Sequence, residues 1–314
     1  YLEGMERRVQ LQGRSQKPRI EGVGTLLVVG SGKGGVGKST VSVNLAIALA
    51  KRGAQVGLLD GDAYGPSVPM MLGVRKRGMS GAEANVPLAQ HGKLAPEQLI
   101  RPLVRYGVRV MSVGFFIGEE QAVAPMPDVL GMLIRQLLYM VDWGGLDYLI
   151  VDLPPGNGEP QATLCREMQV DGAILVTTPQ DIARIDTAKA LAMFQSVQVP
   201  VLGVVQNMDG FICPHCGERV DIFPPSAETR NLLDALPLLG SIPLDPATVT
   251  SGDKGQPVVV SAAHSPVALA LFHMAAQVVA SVEERRADIQ SSENAERSDG
   301  ELPDEGRAGD ERED

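Results

Sequence analysis

The chain has 314 residues, 44% of them hydrophobic, which is enough for one large α/β domain with a sizeable core. Of its formal charge of −10, residues 283–314 carry 13 acidic and 5 basic side chains, a net of −8, so the body is close to neutral. That balance argues against a basic surface for nucleic acid or for an anionic membrane, and three cysteines are too few for a disulfide scaffold.

Residues 1–20 mix Arg7, Arg8, Arg14, Lys17 and Arg19 with polar residues and read as a flexible segment. They hold no apolar stretch of the length a signal peptide needs, and no run approaches the roughly 18 apolar residues of a membrane span. A reducing cytoplasm is therefore the expected compartment. "TLLVVGS" (25–31) reads as a buried strand, followed by a glycine-rich turn and a helix over "STVSVNLAIALAKR" (39–52), stopped by Gly53. This helix is apolar nearly all round, which predicts cover on more than one side. "QVGLLD" (55–60) is the next strand, so β-loop-α-β predicts a right-handed crossover and a parallel pair.

Further unalternated apolar runs stand at 108–114, 146–152, 172–178, 200–207 and 238–243. Runs of this kind suit parallel strands buried on both faces. Helices are expected at 128–141, 181–197 and 265–286, and residues 75–105, rich in Gly, Ala and Pro, as a loop-rich insertion. The fold expected is a doubly wound, mainly parallel α/β sheet over residues 21–282, followed by a disordered acidic tail at 283–314 that cannot bury enough apolar surface to order itself.

Between the first strand and helix, Gly32-x-x-x-x-Gly37-Lys38-Ser39 is a full P-loop pattern in its required context. Gly32, Gly34, Gly35 and Gly37, with Lys33 and Val36, would turn backbone N–H groups toward a phosphate chain, and the helix N-terminus adds partial positive charge. Lys38 would reach the β- and γ-phosphates and Ser39 would ligate Mg²⁺. Asp152, ending the strand in "LIVDLPPG", stands where a Walker-B aspartate belongs and would complete the Mg²⁺ site. Asp62 and Asp60, in "LLDGDAYGPS", end the strand after the P-loop helix, where a carboxylate can orient the attacking water; a turn aspartate is the plain alternative. Gly156, in "PPGNG", would sense the γ-phosphate through its backbone.

Cys213 and Cys216, in "FICPHCG", are a CxxC pair that can chelate one soft metal from a single turn. Four protein ligands are the usual need, so the pair is half a site, which a two-fold homodimer would complete. Spacing allows an iron–sulfur cluster or zinc equally; a redox pair or plain buried thiols are the other readings. Cys165, alone in "ATLCREM", reads as a helix-packing residue, and His91, His264 and His273 lack ligand-like neighbours.

Six stretches in order carry a family resemblance: "SGKGGVGKST" (31–40), "DAYGPSVPMMLG" (62–73), "DWGGLDYLIVDLPPGNG" (142–158), "VTTPQDIARID" (176–186), "VVQNMDGFICPHCG" (204–217) and "LLGSIPLDPATVTSGDKGQPVV" (238–259). They resemble the Mrp/ApbC-type iron–sulfur cluster carriers, P-loop ATPases of the deviant Walker A group related to MinD and ParA. The resemblance implies an ATP-dependent carrier whose Cys213 and Cys216 share a bridging [4Fe–4S] cluster with a second subunit. It implies an upstream cluster donor and apo iron–sulfur proteins as recipients. It also implies that Gly32 to Thr40 bind ATP and Mg²⁺, that Lys33 reaches the partner's nucleotide, and that Asp62 and Asp152 are the switch carboxylates. Asn207, Pro179 and Asp181 would line the adenine pocket. The chain departs from the family pattern at Asn157–Glu159, and "AVAPMPD" (122–128) stands where a WRG motif is common. The alternatives are a MinD/ParA-like positioning ATPase and a dimeric ATPase with a structural zinc clamp.

Overall fold

The computed structural model describes residues 19–63, 65–74, 99–116, 127–213, 215–223 and 236–300. Expectations on 1–18, on most of the 75–105 insertion, on His91 and on the "AVAPMPD" stretch up to 126 lie outside them. Among the described residues the chain runs β1 (Val23–Gly30), α1 (Lys38–Lys51), β2 (Val56–Asp60), α2 (Val68–Met71), β3 (Leu103–Arg105), β4 (Val108–Ser112), α3 (Pro127–Tyr139) and β5 (Leu146–Asp152). It continues through α4 (Glu159–Glu167), β6 (Gly172–Thr177), α5 (Asp181–Ser196), β7 (Val201–Ile212), β8 (Arg219–Val220), β9 (Leu238–Leu244), α6 (Pro246–Asp253), α7 (Val258–Ser261) and α8 (Pro266–Gly300).

One sheet runs β3-β4-β2-β5-β1-β6-β7-β8, with β9 also on β7. Every neighbouring pair is parallel except β3–β4 and β7–β8. The parallel core is why its strands are apolar without alternation: successive residues point to opposite faces, and both faces are covered. In β1, Leu26 and Val28 join one core cluster with Ile134, Leu164 and Phe194 of α3, α4 and α5. Leu27 and Val29 join the other, with Val41, Leu45, Leu271 and Met274 of α1 and α8. Residues 41–49 of α1 are all buried, as its all-round apolarity predicts.

Three expectations are corrected here. The parallel strands β1 and β2 are not neighbours, because β5 lies between them and pairs with both. Leu103–Arg105, inside the expected loop-rich insertion, forms an antiparallel edge strand on β4. The last helix overruns the expected start of the tail at Glu283 and continues to Gly300; residues 301–314 lie outside the described residues. Residues 267–299 contain neither glycine nor proline, and Arg286 ties the helix back to the Gly24 carbonyl (3.0 Å) and the Thr25 hydroxyl.

Within Pro266–Ser292 an 18-residue window has the length and mean hydropathy (1.4) of a membrane span, more than the count of apolar runs suggests. Here it is a helix covering the sheet: Val267, Leu271, Met274, Val278 and Val282 are buried against β9 and α1.

Candidate functional site

The loop between β1 and α1 is built on glycines, and at Gly32 and Gly37 no side chain fits without movement. Gly35 and Gly37 have φ of 78° and 84°, left-handed values that cost a side chain about 1–2 kcal/mol. A methyl at Gly32 would sit 2.1 Å from the backbone oxygen of Asp186, so α5 lies directly over the loop. A methyl at Gly37 would sit 2.1 Å from Nδ2 of Asn207. At Gly35 it would meet nothing within 4 Å, and at Gly34 only Pro155 at 3.9 Å. The loop is therefore gripped at both ends and open in the middle. Ser39 and Thr40 are half-buried at the start of α1, and Lys33 is half-buried with its carbonyl accepting from the Ser31 hydroxyl (2.9 Å).

Lys38 points down from the loop. Its ammonium donates to Asp152 Oδ1 at 2.8 Å, with 6% and 0% of the two side chains exposed, and lies 3.4 Å from Ser39 Oγ. Ser42, one helical turn after Lys38, donates to the same Oδ1 at 2.8 Å. Asp152 Oδ2 is buried with no hydrogen-bond partner among the described residues. An unpartnered carboxylate oxygen in the interior costs about 1–3 kcal/mol, so this atom is suited to a cation or its bound water.

Register puts Ser112, Asp60 and Asp152 side by side across β4, β2 and β5. Asp60 is fully buried; it accepts from the Asp62 N–H (3.1 Å), the Ser112 hydroxyl (3.0 Å) and the Val68 N–H (3.3 Å). Burial first, and the Asp152 charge second, push its carboxyl up to about 8, against the pull of those hydrogen bonds and of Lys38. Asp60 thus braces the turn that carries Asp62. The Asp62 carboxylate, also buried, accepts from the Gly65 N–H (3.2 Å). Gly156, expected to offer its N–H to a γ-phosphate, donates instead to the Ser31 carbonyl (3.0 Å), joining the loop after β5 to the end of β1.

Pro179 is buried just after β6, and Asp181 opens α5. Asn207 comes from the middle of β7; its amide donates to the Val36 carbonyl of the loop at 2.8 Å and is 9% exposed.

The cysteine pair stands at the tip of the β7–β8 hairpin. Cys213 follows the last residue of β7, its N–H donates to Glu218 O (2.9 Å), and its carbonyl accepts from Gly217 (2.8 Å). Cys213 is half-buried and Cys216 exposed. Backbone N–H groups of Cys216 and His215, and then the Cys216 thiol, hold the Cys213 thiol below its ordinary range. That is the tight turn a pair of thiolates needs to face one ion. Among the described residues no cluster of three His, Cys, Asp or Glu could hold a metal. Cys165 is fully buried in α4.

Several residues that build these sites escaped sequence reading. Ser42 had a signal, because one helical turn separates it from Lys38. Ser112 and the Asp186 backbone had none, since strand register and helix placement bring them in. The hairpin base is likewise tertiary: Asp209 accepts from the Ser241 hydroxyl and pairs with Arg219 at 3.0 Å.

The chain matches the ParA family model described as NUBPL iron-transfer P-loop NTPase over residues 22–279. It is 44% identical over 281 residues to the mouse (Mus musculus) iron-sulfur cluster transfer protein NUBPL, covering 87% of this chain and 83% of that one. It is 42% identical over 288 residues to the iron-sulfur cluster carrier protein of Synechocystis, covering 90% and 79%. Among solved structures it resembles a nucleotide-binding protein of Archaeoglobus fulgidus in complex with ADP, with a TM-score of 0.64, 33% identity and 81% and 94% of the two chains covered. The Pyrococcus furiosus cell division ATPase MinD gives a TM-score of 0.61 at 26% identity, covering 81% and 98%.

Proposed function

The chain belongs to the NUBPL-type iron-transfer P-loop NTPases, and from that premise we propose that it is an ATP-dependent carrier of iron–sulfur clusters. The observation that carries the reading is a CxxC pair in one tight turn, Cys213 half-buried with its thiol held below the ordinary range and Cys216 exposed, directly beyond the strand that also touches the phosphate loop; the pair would supply two ligands of a four-ligand site. The cluster is cargo: two hairpins facing each other across a two-fold axis would offer four thiolates to one [4Fe–4S] unit. The same axis would let Lys33 reach the partner's nucleotide, where its charge opposes that developing in phosphoryl transfer.

The residues fit Mg·ATP. Backbone N–H groups of Gly32 to Thr40 would cradle the phosphates in the open middle of the loop, where a Cβ meets nothing at Gly35. Lys38 would exchange Asp152 for the β- and γ-phosphates. Ser39, Asp62 and Asp152 would hold Mg²⁺ directly or through water, and Asp152 Oδ2 is the unpartnered acceptor such a site requires. When bound, the ion would neutralise charge building on the phosphates. Asp62 would orient the attacking water, while Asn207, Pro179 and Asp181 would line the adenine pocket. Slow hydrolysis, coupled to loading or transfer, requires that nucleotide states differ in affinity for the cluster. An upstream donor and apo-protein recipients complete the cycle. A reducing cytoplasm suits three cysteines that form no disulfide among the described residues.

The test is anaerobic reconstitution with iron and sulfide, beside the Cys213→Ala, Cys216→Ala double variant. About four irons and four sulfides per dimer, lost in the variant, is the expected result. Tight zinc without a cluster, or a cluster indifferent to the substitutions, would overturn the carrier reading.

A further inference from the structure

Asn207 lies on β7 and Cys213, six positions on, directly follows its last residue; the strand between them is irregular. β7 pairs β9 in unbroken register from Val205 to Asn207 and resumes only at Phe211. Inside that gap Met208 and Gly210 both have left-handed φ, 58° and 72°. Left-handed backbone is uncommon for methionine and is retained only where surroundings enforce it. A bulge of this kind re-aims the end of a strand. Beyond it the chain is fastened again: Asp209 is held by Arg219 and Ser241, and a methyl at Gly210 would lie 2.7 Å from Arg219 Nε. The cysteine hairpin is thus fastened at its base and joined to the phosphate loop through this end of β7. At the loop end the Asn207 amide donates to the Val36 carbonyl at 2.8 Å.

An asparagine amide has two N–H donors and one acceptor oxygen. One donor is on Val36, which leaves the rest of the amide for a nucleotide base. One side chain can therefore hold the loop and meet the nucleotide together. Gly37 lies against that amide, so any rearrangement of the loop on phosphate binding presses on Asn207.

We propose that Asn207 is a positioning residue that transmits the state of the phosphate loop to the Cys213–Cys216 hairpin through the bulged end of β7. This deepens the carrier reading by naming the coupling element. It rests on that reading for its purpose but not for its test.

The test uses the metal-free full chain and the rate at which Cys213 and Cys216 react with a disulfide reagent, with and without saturating Mg·ATP. Cys165 is fully buried and contributes last. The wild-type rate is expected to change at least about threefold when ATP saturates, a shift of roughly 0.7 kcal/mol. Asn207→Ala and the near-isosteric Asn207→Asp, which removes the donor, are expected to bring that ratio close to one. Both are compared at ATP concentrations that saturate each variant by calorimetry, so weaker base binding does not imitate lost coupling. A ratio unchanged in both variants would overturn the proposal, and so would a wild-type rate indifferent to ATP. Because no cluster is present, these outcomes stand whether reconstitution yields iron–sulfur or zinc.

Discussion

Substituting Lys38 by alanine is the obvious way to silence the phosphate loop, and the structure says that it does more. The Lys38 ammonium lies 2.8 Å from Asp152 Oδ1 with almost no exposure of either side chain. Removing one partner of a buried pair costs about 3–5 kcal/mol, since the other charge stays in the interior. Asp60 makes this worse, because its fully buried carboxyl is adjacent to Asp152 and Lys38 is the cation that eases both. For a chain of this size about 3–5 kcal/mol lowers Tm by roughly 6–20 °C. The loss should be larger near pH 9, where Asp60 has released its proton and adds a second buried charge beside Asp152, than near pH 6, where Asp60 is neutral. The assay is urea unfolding without nucleotide for wild type, Lys38→Ala, Asp152→Ala and the double variant. The double variant should lose clearly less than the sum of the singles, because it leaves no unpaired charge. A Lys38→Ala loss below about 1 kcal/mol, or one equally large in the Asp152→Ala background, would refute the reasoning.

Two further outcomes follow from the same geometry. The Asp60 carboxyl is raised from 3.8 to about 8 in the folded chain, so the native state keeps a proton that the unfolded chain releases. Stability should therefore fall as pH rises from about 4 to about 8 and level off above that; Asp60→Asn should flatten this part of the curve, and parallel curves at pH 5, 7 and 9 would contradict it. Gly32→Ala drives a methyl to 2.1 Å from backbone, whereas Gly35→Ala meets open space and only the left-handed penalty of about 1–2 kcal/mol. Thermal unfolding without nucleotide should thus show the larger drop for Gly32→Ala, and equal drops would count against the α5 contact.

Local pattern in this chain carries local structure. The glycine spacing from Gly32 to Gly37 and its place between an apolar strand and helix suffice for a phosphate loop, because backbone conformation there depends on the residues themselves. The same holds for the turn closed by Cys213 and Cys216, and for Asp152 at the end of an apolar run. What pattern cannot carry is which strand lies beside which. The apolar runs of β1, β2, β5 and β6 are interchangeable as sequence, so β1 and β2 read as neighbours. Only packing inserts β5 between them, and that insertion brings Asp152 under Lys38 and beside Asp60.

Helix ends show the same divide. The charged composition after Glu283 reads as disorder, yet an unbroken run of helix-compatible residues fastened by Arg286 continues α8 to Gly300. The chemical groups of this protein were thus determined by its sequence: a phosphate-loop pattern, aspartates at the ends of two apolar runs and a CxxC pair. Tertiary structure decided how they stand to one another, because contacts such as Asn207 to Val36 and Arg219 to Asp209 depend on long-range register, which no local spacing encodes.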